Sequence, residues 1–89
     1  MSNQTVAEVL AAADDSVTLI NDINSNGSDS VHVAMDDDQA DINAIVQRNV
    51  DHLETILTYT DPDVAGSSDD KSSYTSAITT GKAYISANS

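Results

Sequence analysis

DQADINAIVQRNVDHLETILTY, residues 38–59, carries the clearest periodicity in the chain. Its apolar side chains fall at Ile42, Ile45, Val46, Leu53, Ile56 and Leu57, with Asn49 in the same row and Val50 at its border. Spacings of three and four residues put one stripe on one face, the pattern of an amphipathic helix. Asp36, Asp37, Asp38 and Asp41 gather at its start, where carboxylates oppose the positive end of the helix dipole. Gln47 and Arg48 stand four and three residues ahead of Asp51, within reach along a helical surface. Asp61-Pro62 marks the end, because the residue before proline is pushed away from helical angles.

Two further helices are predicted on either side. Residues 5–24 open with Thr5 and Glu8 at capping-box spacing, then place Val6, Val9, Leu10, Ala13, Val17, Ile20 and Ile23 near a 3.6-residue period. Asp14 and Asp15 lie off that stripe, and Gly27 is placed to supply a left-handed cap after Asn24. Residues 69–87 follow a loop at 61–68, with Ser67 or Ser68 as cap and Asp69, Asp70 and Lys82 placed as the dipole prefers. The stripe of this helix is Tyr74, Ala77, Ile78, Gly81, Tyr84 and Ile85, and its other faces are mostly Ser and Thr. Residues 30–35 alternate Val31, Val33 and Met35 with His32 and Ala34. One alternating run cannot make a sheet alone, so this one either pairs with another chain or is an extended connector or irregular helix; the connector, with a short extended segment at 30–35, is the preferred reading. The fold class is therefore all-α: a small three-helix bundle in one domain, 1–89, with the second and third helices antiparallel.

Composition limits what such a bundle can do. The chain has 89 residues and a net charge of −12, from 15 acids against 3 bases, with no Cys. Leu, Ile and Val make up 19 residues, just above the roughly 20% level below which a highly charged chain stays disordered. A core this thin does not leave the ligand pocket of about 300 Å³ that small-molecule chemistry needs, so no enzymatic activity and no cofactor are expected. Acidity on this scale excludes direct, phosphate-directed nucleic-acid binding and opposes an anionic membrane surface. No apolar run reaches membrane-spanning length, and Met1–Thr5 lacks the basic start of a signal peptide. The lack of Cys removes disulfide frameworks and thiolate zinc sites.

Candidate chemistry is sparse. Asp22-Ile23-Asn24-Ser25-Asn26-Gly27 matches the first half of a calcium loop, but Asp29 and Val33 stand where a hydrophobe and a bidentate Glu belong. The plainer reading is a helix end followed by a polar turn, and no metal is expected. His32 and His52 have no ligand-spaced partner, and no serine sits in a nucleophile-elbow context.

The charge is uneven. Residues 1–63 hold 13 acids and one base, whereas residues 64–89 hold two of each. The neutral third helix, with Tyr74, Ile78, Gly81, Tyr84 and Ile85 in a row, is the candidate partner-binding surface. Tyr offers an apolar ring with a polar tip, and Gly81 would admit another backbone. The plainer alternative is that this row serves the chain's own core, the commoner use of a helix stripe.

Two stretches, QRNVDHLETIL at 47–57 and YTSAITTGKAYISAN at 74–88, resemble short acidic helical virion proteins of tailed, particularly marine, bacteriophages. The resemblance implies a structural role in the virion and carries no catalytic residues. The expected function is that of a capsid decoration protein docking on the phage capsid or another virion protein, with a second copy of the chain as a further candidate partner. The alternatives are a neck or tail component and an acidic DNA mimic that blocks a host nucleic-acid enzyme.

Overall fold

The computed structural model describes residues 5–58 and 71–89. It consists of helix α1 at Val6–Asn26, helix α2 at Gln39–Leu57 and helix α3 at Lys71–Ala87, with a 3-10 turn at Gly27–Asp29. There is no strand among the described residues. Each helix packs on the other two, and the all-α three-helix bundle expected from the periodicity is what forms. The third helix's Ser67 or Ser68 cap, Asp69, Asp70 and the Asp61-Pro62 stop lie outside the described residues.

Local signals set the helix starts. Thr5 Oγ1 accepts the Glu8 N–H at 3.1 Å while Glu8 Oε1 accepts the Thr5 N–H at 2.9 Å. Asp38 does the same for α2, accepting from Asp41 N at 2.9 Å and donating its own N–H to Asp41 Oδ2 at 3.1 Å. Each box satisfies two donors that a helix start would otherwise leave unpaired. α1 runs two residues past its expected end and stops at Gly27, which has φ +56° and ψ −128°. That is a conformation open to glycine alone, although not the left-handed helical cap expected.

The core is a single cluster. α1 contributes Ala13, Ile20 and Ile23; α2 contributes Ile42, Val46, Val50, Leu53 and Ile56; α3 contributes Tyr74, Ala77 and Ile78. Val50, expected at the border of the α2 stripe, is fully buried, while Ile45 and Leu57 are half-buried. The reason is that α2 faces two neighbours. Asn49 points toward α1, and Val50, one residue and about 100° further round, points toward α3. Gln39 Nε2 donates to Tyr84 Oη at 3.0 Å and Asn43 Nδ2 to Asn88 O at 3.2 Å, tying the start of α2 to the end of α3. These ties make the pair antiparallel, as expected.

Residues 30–35 do not form an extended segment; they fold as successive turns between α1 and α2. Val33 packs against the core, whereas Val31 and Met35 project into solvent. The alternation read from sequence is not expressed as two faces: Val33 alone turns inward, and Val31, His32, Ala34 and Met35 are all exposed.

Candidate functional site

The row proposed as a docking surface is turned mostly inward. Tyr74, Ile78 and Gly81 are buried, and Tyr84 and Ile85 are half-buried against the core. A Cβ placed on Gly81 would lie 2.5 Å from Val50 Cγ2 and 3.2 Å from Val46 Cγ1. The close approach that glycine permits is therefore used within the chain, by α2, and not held open for a partner. A third helix is needed to cover the second face of α2, and this row is the apolar surface α3 has for it. What α3 leaves exposed includes Ser72, Thr75, Ser76 and Thr79, which with half-buried Thr80 line a shallow, open groove.

Between α1 and α2 the structure brings together three polar side chains that the sequence kept apart. Ser16, buried between Ala13 and Ile20 on the inner face of α1, donates its hydroxyl hydrogen to Asn49 Oδ1 at 2.9 Å. Ser16 Oγ also lies 2.9 Å from His52 Nδ1. Asn49 Nδ2 donates to Ile45 O at 2.8 Å, which fixes the amide with its oxygen toward Ser16. The hydroxyl has one hydrogen and Asn49 takes it, so His52 Nδ1 must be the donor to Ser16 Oγ. A serine activated for attack gives its proton to the ring; here the ring gives a hydrogen to the serine. The direction of these bonds suits a lock between two helices. Sequence reasoning missed this cluster because Ser16 and His52 are 36 residues apart. Its one legible trace is polar Ser16 and Asn49 standing inside two apolar stripes.

A second polar cluster closes the end of α1. Asp22 accepts the Ser30 hydroxyl on Oδ2 and Asn26 Nδ2 on Oδ1, the latter at 2.8 Å. The Ser30 hydroxyl bond holds the Asp22 carboxyl below its usual range, against partial burial; Asn26, the His32 charge and the Val31 N–H add to it. Asp22, Asn24 and Asn26, the half-match to a calcium loop, are all helical here. Asn24 lies about 200° round the helix from both Asp22 and Asn26, and Asn26 turns its amide N–H rather than its oxygen to Asp22, so the three oxygens do not converge as a calcium loop requires. No group of three potential metal-ligating side chains gathers among the described residues.

The other described carboxylates bond locally, pair with Lys82 or face water. Asp37 Oδ2 accepts the Ala34 N–H at 2.8 Å, and Asp51 Oδ1 accepts Gln47 Nε2 at 2.8 Å. No ion pair joins Arg48 to Asp51 among the described residues; Lys82 pairs with Glu54 at 2.9 Å on the exposed side of α2 and α3. Asp14 and Asp15 are exposed. No described helix is long and apolar enough to cross a membrane. Comparison with protein families, with characterised proteins and with solved structures finds no match to this chain.

Proposed function

We propose that this chain is a non-enzymatic structural protein of a tailed-phage virion, docking on a larger assembly as a capsid decoration protein. The observation that supports this best is where the two phage-like stretches fall. Residues 47–57 and 74–88 belong to one antiparallel helix pair, α2 and α3, packed through Val50, Leu53, Tyr74, Ile78 and Gly81. The two stretches thus lie side by side in the fold, within a core that α1 completes. The DNA-mimic reading is weaker, because a mimic needs carboxylates arrayed freely along one face. Glu8, Asp22, Asp37, Asp38 and Asp41 are instead engaged with nearby backbone or side-chain donors.

The test is the composition of purified particles of the phage whose genome carries this sequence. A decoration protein is present in a copy number that scales with the capsid lattice. A small fixed number at one vertex would move the assignment to the neck or tail. Absence from washed particles would refute the virion reading altogether.

A further inference from the structure

Val31 and Met35 are the large hydrophobic side chains that the described bundle leaves in water, at 89% and 106% exposure. Every other described Val, Leu, Ile, Met or Tyr side chain is buried or half-buried. A lone exposed apolar side chain is ordinary. Here two stand four residues apart on one connector, and the connector is built to hold its shape.

Ser30 anchors it. Its hydroxyl is fastened to Asp22, its Oγ accepts the His32 N–H at 3.1 Å, and its carbonyl accepts the Val33 N–H at 3.1 Å. Val33 is pinned against the core. The following turn is closed from both sides: Asp37 N–H donates to Ala34 O at 3.1 Å, and Ala34 N–H donates to Asp37 Oδ2 at 2.8 Å. Val31 and Met35 are therefore presented on an ordered loop, so little conformational freedom is lost when they are covered. Met adds a flexible, polarisable side chain that adapts to irregular apolar sockets.

Charge decides what can cover them. Asp29, Asp36, Asp37 and Asp38 flank the pair, and no Lys or Arg precedes Arg48. A second copy meeting it through the same loop would bring the same four carboxylates into contact, and through any other surface would still carry a net charge of −12. Nucleic acid and anionic lipid are repelled for the same reason. A protein socket with an apolar floor and a rim of Lys and Arg satisfies both the side chains and the charge. We propose that the 30–37 loop is this protein's docking knuckle, inserting Val31 and Met35 into such a basic-rimmed socket on a partner protein. The surface is inferred from the loop itself; that the socket belongs to a virion protein rests on the preceding reading.

The experiment places a photo-crosslinking benzoylphenylalanine at position 31 or 35 of the full chain, with exposed positions 18 and 79 as controls, in infected cells and assembled particles. Positions 31 and 35 should crosslink to one protein, at a segment whose surface is apolar and ringed by Lys and Arg, and the controls should not. Val31→Ser combined with Met35→Ser should then weaken binding to that purified protein at least about tenfold, the scale of losing interface anchors. Its urea midpoint should be unchanged, because neither side chain is buried. Crosslinks from 31 and 35 no more frequent than from 18 and 79, or only to a second copy, lipid or nucleic acid, overturn the proposal. So does a double variant that binds within about twofold of the original. A qualifying socket on a non-virion protein keeps the knuckle and refutes the virion role. A virion protein caught only from position 79 keeps the virion role and refutes the knuckle.

Discussion

Replacing Gly81 with Ala adds one methyl group where α3 lies against Val50 and Val46 of α2. That carbon would sit 2.5 Å from Val50 Cγ2, 3.2 Å from Val46 Cγ1 and 3.4 Å from Ile20 Cγ2. Carbon atoms rest about 3.5–4.0 Å apart, so the overlap with Val50 is about 1 Å. Val50 is fully buried and β-branched, with one strongly preferred rotamer in a helix, so it cannot swing aside. Overpacking of this kind costs about 1–3 kcal/mol. Ala is a better helix former than Gly by about 0.8–1 kcal/mol, which offsets part of that. The single variant should therefore lose only about 1 kcal/mol, and the double-mutant cycle is the sharper measurement. Val50→Ala removes the obstructing methyl and alone costs about 1.5–3 kcal/mol in lost burial and cavity. With Val50→Ala in place, Gly81→Ala fills part of the hole and keeps its helical advantage, so it should stabilise by about 1 kcal/mol. The coupling, read from urea titrations with equal slopes, is about 2 kcal/mol. Costs that add to within about 0.5 kcal/mol would show that α3 does not press on Val50, and the packing argument would fall. Gly81→Leu, which adds far more than a Cβ at the same point, should damage the fold before it affects any partner.

Leu53→Ala should cost about 2–5 kcal/mol in a urea titration, and Glu54→Ala no more than about 1 kcal/mol, since its bond to Lys82 is exposed; equal costs would mean the stripe of α2 is misplaced. Ser16→Ala should cost about 1–2 kcal/mol by stranding Asn49 Oδ1 and the His52 ring donor, while exposed Thr18→Ala stays within about 0.5 kcal/mol; no difference between them would remove the lock. Asp22 has a lowered folded pKa, so the unfolded chain takes up its proton first, and the carboxylate's contribution is present above about pH 4 and lost as the pH falls through the folded value. The measurement is the stability gap between the wild type and Ser30→Ala, which should narrow on acidification; a constant gap would contradict the assignment.

The legible parts were those written locally. Thr5 and Glu8 announce a capping box from their spacing alone, and it forms as read. Asp38 and Asp41 were read only as charges at a helix start, yet they close a box of the same kind, with Asp in the place more often held by Glu. Apolar spacing located all three helices, but it could not say which neighbour each face of α2 would meet, and so it left Val50 at the margin. The same blindness affected α3. A row of apolar side chains looks alike whether it covers a core or a partner, and only the exposed second face of α2 decides that Tyr74, Ile78 and Gly81 turn inward. The Ser16–Asn49–His52 contact depends on two helices meeting at one depth, which no local pattern encodes. Val31 and Met35 were visible as an alternation, but their exposure follows from Val33 being the member of the run that the core admits.

The missing side chain at Gly81 also bears on how many ways the bundle could be assembled. The apolar row of α3 repeats every three or four residues, as Tyr74, Ala77, Ile78, Gly81, Tyr84 and Ile85, so periodicity alone does not fix its axial alignment against α2. Sliding α3 by one turn, about 5.4 Å, would bring Ala77 or Ile85, four residues away on the same face, opposite Val46 and Val50. That position lacks room even for a Cβ. Both slipped alignments would wedge the helices apart, while the observed one lets them close. Beside the bonds its side chains make to Gln39 and Glu54, α3 is thus indexed against its neighbour by an atom it lacks, and the notch excludes slipped competitors that a helix without it would admit.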